Sequence, residues 1–469
     1  MKKPKKRLMI ILMSAVMLFS SSAYAAVTIP QGLQQEAANI QLDADSAILI
    51  DAATGDILYE KNKDKKEYPA SITKLMTVLL AFENCKMDEK LTFSHDAVFS
   101  IERGSSHIGI DVGEELTVEQ ALYAIMLQSA NEVSNGVAEH IDGSLDAFAK
   151  HMTERAKELG AVNTNFVNAN GLHNENHYTT AYDMSLIAKE LLKYPEFKTI
   201  LSTTYYEIPA TNIQPETRYL HGQTQLIKPP SIFYYENCEG GKTGFTDQAG
   251  NTLVSYAKNN DIEVISVVLK STGYGEYYDT IKLFDYGLNN FVTKNICTKG
   301  TECSSSTVTI KSTFSTLTEN VQGAYTDNIS VTLPKSYSAD EITTTVDVPS
   351  DFDTEVHKGD IIGTATFSLN GENLGKTNVE AENDAGVKTE KNKKSNTNFK
   401  SVFFISNINP ILLVVIAVVT VAVVLIILLM IIRKIKGNKR RRMRRNRRKQ
   451  YTKVSNYNYK VSDRNRRSK

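Results

Sequence analysis

The sequence predicts an α+β fold in which an antiparallel sheet packs on a helical subdomain. Three observations predict it: a strand hairpin near the start of the folded part, helical periodicity through the middle, and a second hairpin followed by a helix. Strands grouped apart from helices are typical of this class rather than of alternating α/β folds. At 469 residues, the chain has room for two or three domains.

The first hairpin is predicted over residues 46–59, where β-rich runs flank a turn that contains Gly55. Apolar side chains then recur at spacings of three and four over residues 69–85, which predicts a helix. Further helical segments are predicted over residues 118–141, interrupted by a turn at 129–131, and over 145–160 and 181–194.

The second hairpin is predicted from alternating runs at residues 252–256 and 262–269, which a turn-forming Asn-Asn-Asp cluster joins. Apolar spacing over residues 278–291 predicts a closing helix. Residues 40–295 are therefore predicted to form one domain.

A separate small all-β domain is predicted over residues 305–378, because short Thr- and Val-rich runs replace the helical periodicity there. Residues 379–408 begin with a stretch rich in Lys, Asn, Glu and Thr and poor in apolar side chains. Such a composition predicts a flexible, solvated linker.

Both ends of the chain carry targeting signals. Residues 1–25 combine a basic start, a short apolar run and an Ala-Tyr-Ala cleavage site, which predicts a removed secretory signal. Residues 409–432 predict one transmembrane helix, since the apolar run 411–432 would span roughly 33 Å against a hydrocarbon core of about 30 Å.

The last segment, residues 433–469, is a basic tail that holds 18 Lys or Arg and one Asp. Such clusters stay on the cytoplasmic side, so a single-pass protein of a bacterial cell membrane with its bulk outside is predicted. The overall charge of +1 therefore hides an acidic exported part. We expect the tail to touch anionic lipid rather than nucleic acid.

A Ser-x-x-Lys string at Ser71 and Lys74 lies at the predicted start of the helix over residues 69–85. A spacing of three places both side chains on one helix face, so the amine can act as a general base for the hydroxyl. The helix start also directs N–H groups at an oxyanion formed when Ser71 attacks a carbonyl. The same string at Ser255 and Lys258 falls in a predicted strand, where the two side chains point to opposite faces.

A lysine acts as a base only when it is neutral for part of the time. The pKa of free lysine is about 10.4, so a depression of roughly three units is required, which burial and a neighbouring cation can supply. Lys242 is the candidate neighbour of Lys74, and the sequence does not decide which of the two amines carries the charge.

Ser129 and Asn131 occupy the predicted turn between two helices, where both side chains can face one cleft. Ser129 is predicted to relay a proton to the leaving amine, and Asn131 to hydrogen-bond the substrate amide. Taken alone, the Ser-Ala-Asn string is more often a helix cap.

The string Lys242-Thr243-Gly244 precedes the second hairpin. A strand edge with glycines on both sides lets a peptide backbone approach closely, and Lys242 and Thr243 can bind its terminal carboxylate. A phosphate-binding loop is disfavoured, because the required upstream glycine is missing and a strand follows instead of a helix.

The four cysteines lie at Cys85, Cys238, Cys297 and Cys303, and an even number in an exported chain permits disulfides. Cys297 and Cys303 are close enough in sequence to close a small loop. Cys238 precedes Lys242 by four residues, but without an activating histidine pattern we expect a structural thiol or a partner for Cys85.

At these motifs the chain resembles the low-molecular-weight penicillin-binding proteins, the serine D-Ala-D-Ala carboxypeptidases of peptidase family S11. The resemblance covers roughly residues 47–291. The strings that carry it are PASITKLMT at 69–77, SANE at 129–132, FVNANGL at 166–172, YTTAYDM at 178–184 and GKTGFT at 241–246.

The resemblance implies a β-lactamase/transpeptidase-like sheet and helical subdomain, with neither cofactor nor metal. It implies that a cell-wall stem peptide acylates Ser71 through its penultimate D-Ala carbonyl, releasing terminal D-Ala and so limiting cross-linking, and that penicillins acylate and inhibit the same serine. Catalytic roles then fall to Ser71, Lys74, Ser129, Asn131 and Lys242, with Lys242, Thr243 and Gly244 binding substrate.

Two departures affect this comparison. Many relatives attach through an amphipathic C-terminal helix, whereas this chain has a full apolar span. Relatives often carry an Arg before the closing helix, where this chain reads Gly-Tyr-Gly-Glu-Tyr-Tyr at 273–278. The residue that anchors the substrate carboxylate stays open between Lys242, Thr243 and Arg218.

Three alternatives remain open. DD-endopeptidase or transpeptidase activity would use the same acyl-enzyme with a different bond or acceptor. A β-lactamase would share the three motifs, but the class closest in sequence uses a Glu-x-x-Leu-Asn string that is absent here. A catalytically silent cell-surface scaffold is disfavoured because every required side chain is present.

Overall fold

The computed structural model describes residues 31–311 and 316–386, which form an N-terminal α+β domain followed by an all-β domain. The predicted α+β class with a small all-β domain is therefore confirmed. The helices are α1 (Gln31–Asn39), α2 (Lys74–Asn84), α3 (His95–Phe99), α4 (Val118–Gln128), α5 (Asn131–Asp142), α6 (Leu145–Glu158), α7 (Ala181–Leu191), α8 (Pro195–Ser202) and α9 (Gly275–Asn290).

The strands of the N-terminal domain are β1 (Ser46–Asp51), β2 (Ile57–Lys61), β3 (Lys90–Thr92), β4 (Glu115–Thr117), β5 (Tyr205–Ile208), β6 (Arg218–His221), β7 (Cys238–Thr246), β8 (Gly250–Lys258) and β9 (Glu263–Ser271). The strands of the all-β domain are β10 (Phe291–Cys297), β11 (Glu302–Lys311), β12 (Thr316–Tyr325), β13 (Ile329–Pro334), β14 (Ile342–Asp347), β15 (Asp351–Phe352), β16 (Ile361–Leu369) and β17 (Glu372–Ala381).

The central sheet has the strand order β2-β1-β9-β8-β7, and every neighbouring pair is antiparallel. Both predicted hairpins are therefore present, and they meet where β1 pairs with β9. Successive side chains of a strand point to opposite faces. Ile48 and Ile50 belong to the core shared with the helical subdomain, whereas Ala47 and Leu49 belong to the core shared with α9. Strand β1 is buried along its whole length for this reason.

Helix α2 lies at the centre of the helical subdomain and contacts α4, α5, α6 and α7. Its residues from Lys74 to Ala81 are all buried, as expected for a helix surrounded by other helices. The helical run predicted over residues 118–141 is divided into α4 and α5, because Ser129 ends α4 in the left-handed conformation with φ +57°. The two helices together enclose the turn predicted at residues 129–131.

The all-β domain contains a six-stranded sheet of order β14-β16-β17-β12-β11-β15 and the antiparallel pair β10-β13. Its core includes Val308, Val321 and Phe367. Strand β17 continues to Ala381, past the predicted boundary at residue 378, because Val379 and Ala381 are buried in the same core.

Several predicted segments fall on residues that the structure does not describe. They are the secretory signal over 1–25, most of the linker over 379–408, the transmembrane helix over 409–432 and the tail over 433–469. Within residues 31–311 and 316–386, no helix has the length and apolar character needed to cross a bilayer.

Candidate active site

The turn that carries Ser71 is a short 3-10 segment, Ala70–Thr73, which leads directly into α2. Ala70 has φ +52°, a left-handed conformation that is uncommon for alanine. The turn is held from two sides: Thr252 Oγ1 donates to the Pro69 carbonyl at 2.9 Å, and the backbone at Gly171 packs against the Ala70 carbonyl. Ser71 is partly exposed and lies just before the N-terminus of α2.

Lys74 lies directly beneath Ser71 and is fully buried. Its Nζ is 3.0 Å from Ser71 Oγ, 2.7 Å from Asn131 Oδ1 and 2.5 Å from the Asn170 carbonyl oxygen. Burial lowers the pKa of Lys74 well below its usual range, the nearby Lys242 charge lowers it further, and Glu132 opposes both effects. An amine with a lowered pKa is neutral for more of the time than a free lysine.

Lys242 and Ser129 form a second pair beside the first. Lys242 Nζ is 3.0 Å from Ser129 Oγ and 2.7 Å from the Thr243 carbonyl oxygen. Burial lowers the pKa of Lys242 to about 7. The left-handed conformation at Ser129 ends α4 at this point, so the hydroxyl meets Lys242 while Asn131 starts the next helix.

Strand β7 is an edge strand of the central sheet, and its end forms one wall of a cleft of about 570 Å³. A Cβ at Gly244 would lie 2.7 Å from Ser71 N, so only glycine lets the strand pass this close to Ser71. The cleft is lined by Ser71, Ser129, Asn131, Thr243 and Gly244, among others.

Comparison with known proteins adds to this geometry. Residues 33–273 match the D-alanyl-D-alanine carboxypeptidase family, peptidase S11, and residues 291–386 match the C-terminal domain of penicillin-binding protein 5. The chain belongs to the D-alanyl-D-alanine carboxypeptidase family. The resemblance stated from the sequence motifs is confirmed, and with it membership of a family of serine hydrolases.

Three relatives illustrate the likeness. The D-alanyl-D-alanine carboxypeptidase DacF of Bacillus subtilis is 33% identical over 81% of this chain and 94% of its own length. A D-alanyl-D-alanine endopeptidase of Pseudomonas aeruginosa is 31% identical over 58% of this chain and 86% of its own. The crystal structure of penicillin-binding protein 5 from Haemophilus influenzae is 27% identical, covers 74% of this chain and 98% of its own, and gives a TM-score of 0.62.

In this member of the carboxypeptidase family, the sequence motifs did not reveal how the segment over residues 166–178 supports the site. His177 Nδ1 accepts from the Val167 N–H at 3.1 Å, so Nε2 carries the proton and donates to Thr73 Oγ1 at 2.8 Å. Burial, followed by the charges of Lys74 and His173, lowers the pKa of His177 to about 3. A neutral imidazole thus fixes the turn between Ser71 and Lys74.

Arg218 does not reach the cleft, although it was a candidate carboxylate anchor. Its Nη1 and Nη2 bind the two carboxylate oxygens of the buried Glu114 at 2.5 and 2.9 Å, and its other contacts are the carbonyls of Ile108 and Gly109. A buried carboxylate requires such a partner, which explains the arginine. Arg103, which the motifs did not single out, lines the cleft instead.

The four cysteines of this carboxypeptidase relative are all thiols in the structure. The thiols of Cys297 and Cys303 each contact a different backbone carbonyl, at Asp327 and Gly323 respectively. Burial raises the pKa of Cys238 to about 11, and its sulfur lies 3.4 Å from Ser255 Oγ. These contacts are those of structural thiols.

Gly171→Ala should lower the free energy of unfolding by more than about 2 kcal/mol and slow acylation of Ser71. Gly171 has φ +87°, and a Cβ there would overlap the Ala70 carbonyl oxygen, so the turn before Ser71 must shift. Chemical denaturation and the rate of labelling by fluorescent penicillin measure the two effects.

The matched control is Gly143→Ala. Gly143 also has a positive φ, +74°, but a Cβ there meets nothing within 4 Å. The Gly143→Ala substitution should lower the free energy of unfolding by only about 1 kcal/mol, the cost of a left-handed alanine, and leave acylation unchanged. Equal losses for the two variants would contradict a role for the close approach of Gly171 to the turn that carries Ser71.

Proposed function

We propose that this protein removes the terminal D-Ala from peptidoglycan stem peptides through an acyl-enzyme on Ser71. The observation that carries the proposal is the 3.0 Å contact between Ser71 Oγ and the buried Lys74 amine at the base of the cleft. Family membership supports the reaction class, and the proposed roles of individual residues rest on their contacts.

In the acylation step, neutral Lys74 takes the proton of the Ser71 hydroxyl as Oγ attacks the penultimate D-Ala carbonyl. The C–N bond to the terminal D-Ala breaks after a tetrahedral oxyanion forms. The Ser71 N–H, beside Gly244 and at the start of the helix, is a suitable donor to that oxyanion.

The leaving amine needs a proton, and the pair of Lys242 and Ser129 is suited to supply it. A proton on Lys242 Nζ can pass through Ser129 Oγ, 3.0 Å away, to the departing nitrogen. Asn131 Oδ1 accepts from Lys74, which leaves its amide nitrogen to bind the substrate carbonyl. Water then attacks the ester: its OH group goes to the acyl carbon of the shortened peptide and its proton to Ser71 Oγ, while the proton that Lys74 took during acylation passes to Lys242 and restores its charge.

The terminal carboxylate of the substrate is assigned to Lys242 and Thr243, with Gly244 allowing close approach of the peptide. Arg218 is excluded from this role by its ion pair with Glu114. Because Lys242 is buried without a carboxylate partner among the described residues, a substrate carboxylate would both bind it and stabilise its charge.

This assignment predicts a pH dependence. The ratio of kcat/KM for a peptide ending in D-Ala-D-Ala to kcat/KM for its C-terminal amide should fall as the pH rises through about 7, the pKa of Lys242. Lys242 is cationic below its pKa and neutral above it, so attraction for the carboxylate is lost at high pH. The ratio cancels effects of Lys74 that both substrates share, and kcat/KM reports the free enzyme. A ratio that stays flat would contradict the assignment.

Two related activities use the same acyl-enzyme. One relative of this chain is named a D-alanyl-D-alanine endopeptidase. A transpeptidase would pass the acyl group to an amine instead of water. Hydrolysis of the terminal D-Ala is favoured here because 81% of this chain matches the carboxypeptidase DacF, whereas 58% of it matches the endopeptidase.

The test is a paired assay on the purified full chain. We expect covalent labelling by fluorescent penicillin and release of D-Ala from a peptide that ends in D-Ala-D-Ala. Rapid turnover of penicillin would indicate a β-lactamase instead, and the absence of both labelling and D-Ala release would indicate a silent scaffold. Splitting of cross-linked dimers into monomers, without release of D-Ala from the D-Ala-D-Ala peptide, would indicate an endopeptidase.

The cellular setting belongs to the same proposal and is supported by sequence alone. Removal of residues 1–25 and a span over 409–432 would hold the catalytic domain, 40–295, and the all-β domain, 305–378, outside the membrane. The tail over 433–469 would then contact anionic lipid on the cytoplasmic side. Stem peptides lie outside the membrane, where Ser71 would meet them.

A further inference from the structure

A cluster of three potential metal ligands lies at the ends of α2 and α5 that are remote from Ser71. Cys85 Sγ, a Glu89 carboxylate oxygen and a His140 ring nitrogen all lie within 4.8 Å of one another. His140 Nε2 is 3.0 Å from Glu89 Oε1. Cys85 and Glu89 are four positions apart, whereas His140 follows Cys85 by 55 positions, so the fold brings the histidine to the other two.

Each ligand is positioned by the local structure. Cys85 caps the C-terminus of α2 through its N–H to the Ala81 carbonyl, and His140 lies in the last turn of α5. Glu89 closes the turn after α2: its N–H donates to the Lys86 carbonyl at 3.1 Å, and its carboxylate accepts from the Lys86 N–H at 3.2 Å.

The turn that holds Glu89 is hydrogen-bonded to the start of α4. Val118 N–H donates to the Glu89 carbonyl at 2.8 Å, and Glu119 N–H donates to the Met87 carbonyl at 3.0 Å. The cluster therefore sits where three helices meet, on backbone that is already hydrogen-bonded. Such pre-organisation lowers the cost of closing the ligands around an ion.

A hydrogen bond between His140 and Glu89 accounts for two of the three side chains but not for Cys85. The Cys85 sulfur is half-buried, faces this pair and makes no hydrogen bond within residues 31–311 and 316–386. Zinc binds thiolate, imidazole and carboxylate ligands alike, and a site with three protein ligands leaves the fourth position to water. Sulfur and nitrogen ligands disfavour calcium and magnesium.

The distances are close to those that zinc requires. Tetrahedral ligands at about 2.0–2.3 Å from zinc are about 3.3–3.8 Å from one another. The present separations, all within 4.8 Å, need side-chain movements on the order of 1 Å. Glu89 is exposed, so an ion can enter from solvent and keep a bound water.

We propose that Cys85, Glu89 and His140 bind one zinc-type divalent cation that links the end of α2 to the end of α5. On binding, the Cys85 thiol loses its proton to solvent and the sulfur donates its electron pair to the metal, with no change in oxidation state. Because α2 begins at Lys74 and α5 begins at Asn131, the ion would brace the two helices whose other ends hold the 2.7 Å contact in the cleft. The site is independent of the reaction proposed at Ser71.

The test uses the full chain, stripped with a chelator and then titrated with Co²⁺, a spectroscopic substitute for Zn²⁺. We expect one equivalent to bind with a thiolate-to-cobalt charge-transfer band, and Zn²⁺ to displace it and raise the thermal midpoint. Cys85→Ser should abolish the band, and His140→Gln should weaken binding by about 10-fold or more. Failure of the wild-type chain to show the band, or its persistence in Cys85→Ser, would overturn the proposal.

Matched controls and a measurement without variants keep the test independent of folding. Cys238→Ser removes another partly buried thiol, and His151→Gln removes another surface histidine paired with a carboxylate, Asp142 at 2.9 Å. Both should bind Co²⁺ as the wild type does, and loss in either would refute the site. In the wild-type chain, Zn²⁺ should slow alkylation of Cys85 by at least about 10-fold and leave Cys303 unaffected. Equal rates with and without Zn²⁺ would also refute it.

Discussion

Ser71→Ala should abolish covalent labelling by fluorescent penicillin and reduce D-Ala release by at least about 10³-fold. The reason is that, in the part of the chain that the structure describes, Ser71 supplies the one hydroxyl that contacts the Lys74 amine, whose pKa is lowered. Ser71 is partly exposed on its turn, so removal of the hydroxyl should leave the fold intact. Gel fluorescence and a coupled D-Ala assay measure the two losses.

Ser255→Ala is the matched control, because Ser255 and Lys258 repeat the same string three residues apart. In the structure Ser255 is buried on β8, and its Oγ donates to the Gly240 carbonyl at 2.7 Å. Its loss should cost about 1 kcal/mol of stability and leave labelling intact. If Ser71→Ala were labelled as strongly as the wild type, the assignment of the nucleophile would be wrong.

Lys74→Met should slow acylation of Ser71 by about 10²–10⁴-fold while changing the free energy of unfolding by no more than about 2 kcal/mol. Methionine has a similar length but cannot accept the Ser71 proton. Replacing a fully buried amine with an apolar side chain removes a desolvation cost, but it leaves the buried Asn131 Oδ1 and Asn170 carbonyl without their donor, so the two effects on stability partly offset one another. Time courses of penicillin labelling and denaturant titration give the two quantities.

The control for this variant is Lys189→Met on α7. Burial also lowers the pKa of Lys189, but its amine lies beside Gly55 rather than in the cleft. Its acylation rate should match the wild type. If Lys74→Met were acylated at the wild-type rate, Lys74 would not be the base. The same conclusion would follow if the slower acylation came with a loss of folding free energy of the same size.

Local chemistry explains why so much of the site could be predicted from sequence. A spacing of three at a helix start fixes the relation of Ser71 to Lys74, and a Ser-x-Asn string between two helical runs fixes a turn. The depressed pKa of Lys74 followed from the need for a base and from the presence of Lys242. Each of these inferences depends on residues that are close in sequence or on the pairing of the motif at Lys74 with the motif at Lys242.

The remaining features depend on contacts between distant segments. The Asn170 carbonyl that binds Lys74, the His177 ring that binds Thr73 and the left-handed backbone of Ala70 arise from the loop after α6 docking on the nucleophile turn. Arg218 was ambiguous for the same reason, since its partner Glu114 is 104 positions away. Sequence periodicity carries no information about such pairings.

The pairing of β1 with β9 has a consequence for how the protein matures. Residues 46–51 cannot complete their sheet until residues 264–269 have emerged, and Lys242 cannot meet Ser129 before β7 is added at the edge. Such distant pairings make closure a late event. A chain halted during synthesis or secretion before residue 271 should therefore carry Ser71 and Lys74 yet remain unreactive. Penicillin labelling of nascent chains would then time the completion of the fold.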